Sequence, residues 1–167
     1  NLLHVILGGN MSSRLFHEVR EKRGLAYSIA TSIKALRDTG MFMIRAGVDN
    51  QKIVPTVEII LKELRRLKRQ GLTPVEFQRA KDYYKGQVVL GLEDTLDHML
   101  WIGEGVLSRD RIRTTAEVMT QINKIRLPDV LRVAEVILRP DQLRLALVGP
   151  VAAAQEQALS GIVGPAV

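Results

Sequence analysis

Apolar positions along this chain follow two different spacings, and the change from one to the other marks out its elements. Leu2 to Leu7 is a short apolar run that reads as the end of a helix, stopped by Gly8-Gly9. Ser12 or Ser13 is placed to cap a second helix reaching about Lys22, with Leu15, Phe16 and Val19 turned inward. Gly24 then offers the left-handed turn that closes a helix. From Ala26 the period drops to two, with Tyr27, Ile29, Thr31, Ile33 and Ala35 on one face, which predicts a strand. A turn at Asp38-Thr39-Gly40 leads into a second strand, Met41 to Val48, so the pair predicts an antiparallel hairpin.

The helical period then returns. Asn50 is expected to cap a long helix with Val57, Ile60, Leu61, Leu64 and Leu67 as its buried stripe and Gly71 as its end. Thr73, Pro74 and Glu76 spell out the next start, with Glu76 closing a capping box and Leu72 and Phe77 placed as a staple. Three more helices are predicted around Leu96–Leu107, Thr114–Ile125 and Pro128–Leu138. The alternation of Leu143, Leu145 and Leu147 predicts a last strand, and the Ala- and Gly-rich tail from Val151 to Val167 is expected to be loosely held. Strands followed by helices and a distant strand make an α+β pattern, an antiparallel sheet with helices packed on one face. The first element is expected to have its beginning upstream of Asn1, together with part of the sheet.

Composition narrows the function. The 167 residues, 46% of them hydrophobic, suit one globular domain, and no apolar run is long enough to span a bilayer, so no membrane partner is expected. The net charge of +6 raises nucleic acid as a partner, but the basic residues of the 58–69 helix alternate with acids. The few aromatic residues are not interleaved with basic runs as base stacking requires, so no nucleic-acid binding is expected. Without cysteine there is no thiolate chemistry and no structural zinc site of the usual kind. The three histidines, His4, His17 and His98, are not spaced as metal ligands on one helix, and no Gly-x-Ser-x-Gly elbow occurs. Asp94 and Asp97 beside His98 fit the acid preference of a helix N-terminus.

One pair remains. Arg20 falls in the last turn of its helix and Tyr27 at the start of the following strand, so the Gly24 turn brings a guanidinium and a phenol to the same side. Both are hydrogen-bond donors suited to a carbonyl or a developing oxyanion. The same two residues also satisfy purely structural preferences, a cation at a helix C-terminus and a tyrosine in a strand.

Residues 7–28, LGGNMSSRLFHEVREKRGLAYS, resemble the signature of the C-terminal, non-zinc half-domain of the insulinase/pitrilysin family of zinc peptidases. The likeness is strongest to bacterial relatives of mitochondrial processing peptidase. It continues through Asp38-Thr39-Gly40, Leu72-Thr73-Pro74 and Leu147-Val148-Gly149-Pro150, so residues 1–150 are expected to form one such half-domain and 151–167 a tail. The resemblance implies that Arg20 and Tyr27 are the catalytic pair that reaches the substrate carbonyl, and that Gly8, Gly9, Asn10 and Met11 touch substrate. Asn10 stands where the family often has a third glycine. Zinc is implied in a separate N-terminal half, on the same chain or on a partner subunit, and none in this chain. The implied whole is a zinc metalloendopeptidase acting on peptides, with this chain inactive alone and able to pair with a second copy. The alternative within the family is a non-catalytic partner or structural subunit. The compartment is left open, with the cytoplasm favoured.

Overall fold

A computed structural model of the chain describes residues 1–36, 38–109 and 111–163. In order they form α1 (Leu2–Leu7), a π-helical segment (Phe16–Glu21), β1 (Ala26–Ala35), β2 (Gly40–Val48) and α2 (Ile53–Gln70). There follow α3 (Pro74–Leu90), α4 (Thr95–Arg109), α5 (Thr115–Lys124), α6 (Leu127–Ile137) and α7 (Ala153–Val163).

The two strands pair antiparallel, and their register sets Ile29 opposite Ala46, Thr31 opposite Ile44 and Ile33 opposite Phe42. That face carries the buried Ile29 and Thr31 and packs on the helices, while the opposite face, with Ala30, Lys34, Met41 and Arg45, is open to water. The fold is α+β with helices on one face of the antiparallel pair, as the period change predicts. At the centre of the core is α1, short but buried at Leu2, Leu3, Val5, Ile6 and Leu7, against β1, α3 and α6. Among the described residues no helix is long and apolar enough to cross a membrane.

Local chemistry places the element ends, and several differ from the expected ones. Ser13 stands just before the second helix, its carbonyl accepting the His17 amide at 3.1 Å, while Asn10 opens the turn ahead of it, its Oδ1 accepting the Ser12 amide at 2.8 Å. The Ser13 hydroxyl is buried with no partner. Asp49, one residue before the expected cap Asn50, accepts the Gln51 amide at 2.9 Å and opens a 3₁₀ turn leading into α2. Thr73 does cap α3, accepting the Glu76 amide at 3.1 Å. Glu76 does not complete the capping box, because its carboxylate is drawn to Arg14: Nε donates to Oε1 at 2.6 Å and Nη2 to Oε2 at 2.8 Å. Arg14 Nη2 also donates to the Gly71 carbonyl at 2.8 Å, so one guanidinium ties the second helix to the α2–α3 corner. Thr114 and Glu117 form the complete reciprocal box that opens α5.

Two expectations about the C-terminal part are corrected. Leu143 to Leu147 is not a strand: among the described residues nothing pairs with it, and Leu145, Leu147 and Val148 are left exposed. Alternating side chains satisfy one face of a strand, but the backbone needs a neighbouring edge to form a ladder. The segment after Val151 is no loose tail either, since it carries α7, which packs on α2 through the buried Leu159. Gln155 fixes its start, accepting the Ala152 amide at 3.0 Å and donating to the Asn50 carbonyl. Residues 164–167 of that expected tail lie outside the described residues.

Candidate functional site

Arg20 sits in a helix that has been widened by one residue, and the cause lies in its neighbours. In an α-helix the Lys22 amide would donate to the Glu18 carbonyl. Here Arg23 Nη1 takes that carbonyl at 2.7 Å, and the Lys22 amide reaches one residue further back, to His17 O at 2.9 Å. Two bonds close the helix: Gly24 N–H donates to Arg20 O and Leu25 N–H to Val19 O. The first has the ordinary span of a glycine-terminated helix end, and the second reaches one residue further back than the usual outer bond. Gly24, with φ of 55°, supplies the left-handed turn.

Glu18 anchors this arrangement. It is buried, and it accepts from Lys22 Nζ at 2.7 Å and Arg23 Nη1 at 2.5 Å. Arg66 on α2 approaches to 4.0 Å. The hydrogen bonds from Lys22 and then Arg23 hold its carboxyl down at about 2, against the burial that pushes the other way. By contrast Arg20 is exposed, with its guanidinium carbon 4.9 Å from the centroid of the Phe16 ring. Among the described residues it has no carboxylate partner, so its charge and its donors remain available.

Tyr27 is the extra residue of a β-bulge. Ala26 stands opposite Val48 and Ser28 opposite Gly47, leaving Tyr27 without a partner of its own. The bulge separates it from the face it was expected to share with Ile29, which stays buried while Tyr27 is 77% exposed. Its ring lies on Gly47: a Cβ added there would press on Cε1 and Cζ and stand 2.6 Å from Oη. The phenol has no hydrogen-bond partner among the described residues. Arg20 and Tyr27 are therefore both turned outward from buried neighbours, Val19 and Ala26, and are not bonded to each other.

The loop of Gly8, Gly9, Asn10 and Met11 divides in two. Gly8 is buried, its carbonyl accepting the Thr31 amide at 3.1 Å, and a Cβ there would come within 2.8 Å of that nitrogen. Gly9 lies equally close to α1, 2.8 Å from Val5 Cα by the same measure. These glycines let the loop lie flat against a helix and a strand. Asn10 and Met11 reach the surface, Met11 being 74% exposed.

The described residues of this chain are not arranged to hold a zinc ion. Each histidine is engaged separately: His4 Nδ1 is 2.7 Å from Thr31 Oγ1, His17 Nδ1 is 2.6 Å from Glu21 Oε2, and His98 packs on Trp101. Among the described residues no three potential ligands stand together. Asp94 instead caps α4, accepting the amides of Leu96 and Asp97.

Gly47 was not singled out from sequence, although a glycine inside a predicted strand is a signal of close approach. Its role emerges only from the register that puts it beside Tyr27.

Residues 1–84 match the family described as peptidase M16 inactive domain. An uncharacterized zinc protease of Bacillus subtilis, YmxG, is 36% identical over 149 residues, covering 89% of this chain and 36% of that protein. A second, SCO5738 of Streptomyces coelicolor, is 38% identical over 151 residues, covering 89% of this chain and 32% of its own. The crystal structure of a peptidase M16 inactive domain from Pseudomonas fluorescens superposes with a TM-score of 0.72 at 24% identity, covering 83% of this chain and 32% of that one. The chain spans about a third of the length of the curated relatives it matches. By sequence and by fold, it belongs to the peptidase M16 family of zinc proteases, as the inactive, non-zinc C-terminal half.

Proposed function

We propose that this chain is the substrate-holding half of a zinc metalloendopeptidase, working with a zinc-bearing half on the same polypeptide or on another subunit. Arg20 and Tyr27 donate hydrogen bonds to the carbonyl oxygen of the scissile peptide bond and to the charge that develops on it. Whatever attacks the carbonyl comes from the other half, and this chain supplies the donors. Asn10 and Met11 meet the peptide nearby, with Gly8 and Gly9 keeping the loop flat behind them.

The observation that carries this reading is the state of the two donors. A buried arginine or tyrosine must bond its polar end to the protein, whereas these two are exposed on either side of Gly24 with their hydrogen-bond donors free among the described residues. The test is to place Arg20→Gln and Tyr27→Phe in the complete peptidase and measure kcat/KM together with zinc content. Each substitution is expected to lower turnover on the order of a hundredfold with zinc retained. Undiminished turnover in both variants would remove the assignment.

A further inference from the structure

A cavity of about 330 Å³ opens between the loop that carries Asn10 and Met11 and α3, and its α3 residues Arg79 and Tyr83 have no part in the Arg20/Tyr27 reading. Its floor is apolar, built by Val5 and Ile6 of α1 and Ala80 of α3, all buried. Its rim carries Met11 and, one turn apart on α3, Arg79 and Tyr83. Glu76 also borders the cavity, but its carboxylate is held in the two-point pair with Arg14 and is already neutralised. Arg79 is exposed and forms no ion pair among the described residues. The cavity thus combines an apolar floor with one uncompensated guanidinium and, at i+4, a phenol.

We infer that this cavity binds the C-terminal residue of a peptide, an apolar side chain on the floor and its free carboxylate against Arg79 and Tyr83. Size supports one residue rather than a long segment, since pockets for small ligands start at roughly 300 Å³. Charge selects the carboxylate, because a planar guanidinium meets it with two parallel hydrogen bonds. The inference rests on the reading that this half holds peptide, and it adds a chain-end site apart from Arg20 and Tyr27.

The test is a titration of the complete peptidase, carrying ¹³C-methyl methionine with the Met11 resonance assigned by Met11→Leu, with N-acetyl-L-leucine, its amide and octanoate. The Met11 methyl resonance is expected to move with N-acetyl-L-leucine, with at least about tenfold weaker binding of the amide. Arg79→Gln, a surface change whose fold is checked by circular dichroism, is expected to cost the acid the same factor and leave the amide unaffected. Equal binding of acid and amide, a silent Met11 methyl, or an unchanged Arg79→Gln would each overturn the site. Octanoate binding as tightly as N-acetyl-L-leucine would also overturn it, reassigning the cavity to fatty acids. Peptide hydrolysis plays no part in this readout, so failure here leaves the Arg20/Tyr27 proposal standing, and loss of that proposal leaves this binding result intact.

Discussion

The ring of Tyr27 lies on the bare backbone of Gly47, the residue just across the hairpin from the bulge that Tyr27 occupies. The absence of a side chain at Gly47 is what lets the phenol lie where it does. A bulge alone would free the tyrosine from the ladder, and the glycine gives it a seat.

Gly47→Val therefore acts on Tyr27 from the opposite strand. The new side chain must displace the ring, and overpacking of this kind costs on the order of 1–3 kcal/mol. The Tyr27 ring resonances are expected to shift, and turnover of the complete peptidase to fall with that of Tyr27→Phe. Unmoved ring resonances in the folded variant would show that Gly47 does not set the ring position.

Glu18 predicts an acid limb in the stability curve. Its carboxyl is held at about 2 in the folded chain against an ordinary 4.5, so the unfolded chain binds the proton first as pH falls. The stability it contributes is whole above about 4.5 and is lost progressively towards 2. With its partners Lys22 and Arg23 partly exposed, that loss is on the order of 2 kcal/mol. Denaturant unfolding between pH 2 and 6 should show this slope in the parent chain and a flatter one in Glu18→Gln. Identical slopes would mean that the carboxylate is not held by its two cations.

His4 acts higher on the pH scale. Burial pushes its imidazole below the ordinary 6.5, so the folded chain favours the neutral ring. Protonation is again easier in the unfolded state, and stability falls as pH drops below about 6.5. Thr31 Oγ1 lies 3.1 Å from the His4 carbonyl and 2.7 Å from its Nδ1. With the single hydroxyl proton given to the carbonyl, Nδ1 donates to the oxygen. His4→Asn is expected to flatten the curve from pH 6.5 downward while leaving the Glu18 limb in place. A curve unchanged in that range would place the titration elsewhere.

Much of this was legible in the residues because it is local. The shift from period two to period 3.6 located the hairpin and the helices, and Thr73 and Thr114 marked helix starts that the structure keeps. What escaped depends on residues far apart in sequence. Glu76 reads as half of a capping box until Arg14, 62 positions away, takes its carboxylate. Leu143 to Leu147 reads as a strand because alternation describes a face, whereas a ladder depends on a neighbour that no local pattern reveals. The pair Arg20 and Tyr27 was visible from spacing, but their exposure was not. Nothing in the spacing announced the widened helix turn or the bulge, or singled out Arg79 and Tyr83.

The widened turn has one more consequence. A π-turn is a helix with one residue too many, and a bulge is a strand with one residue too many. Arg20 lies in the first and Tyr27 is the second, so both donors depend on a surplus residue flanking Gly24. Removing a single residue before Gly24 would leave a regular helix, and removing one after it a regular hairpin. Such a chain would be the more ideal scaffold, its helix phase or strand phase rotated by one position and its two donors no longer aimed. In this segment, chain length itself sets where Arg20 and Tyr27 point, apart from the identity of any side chain.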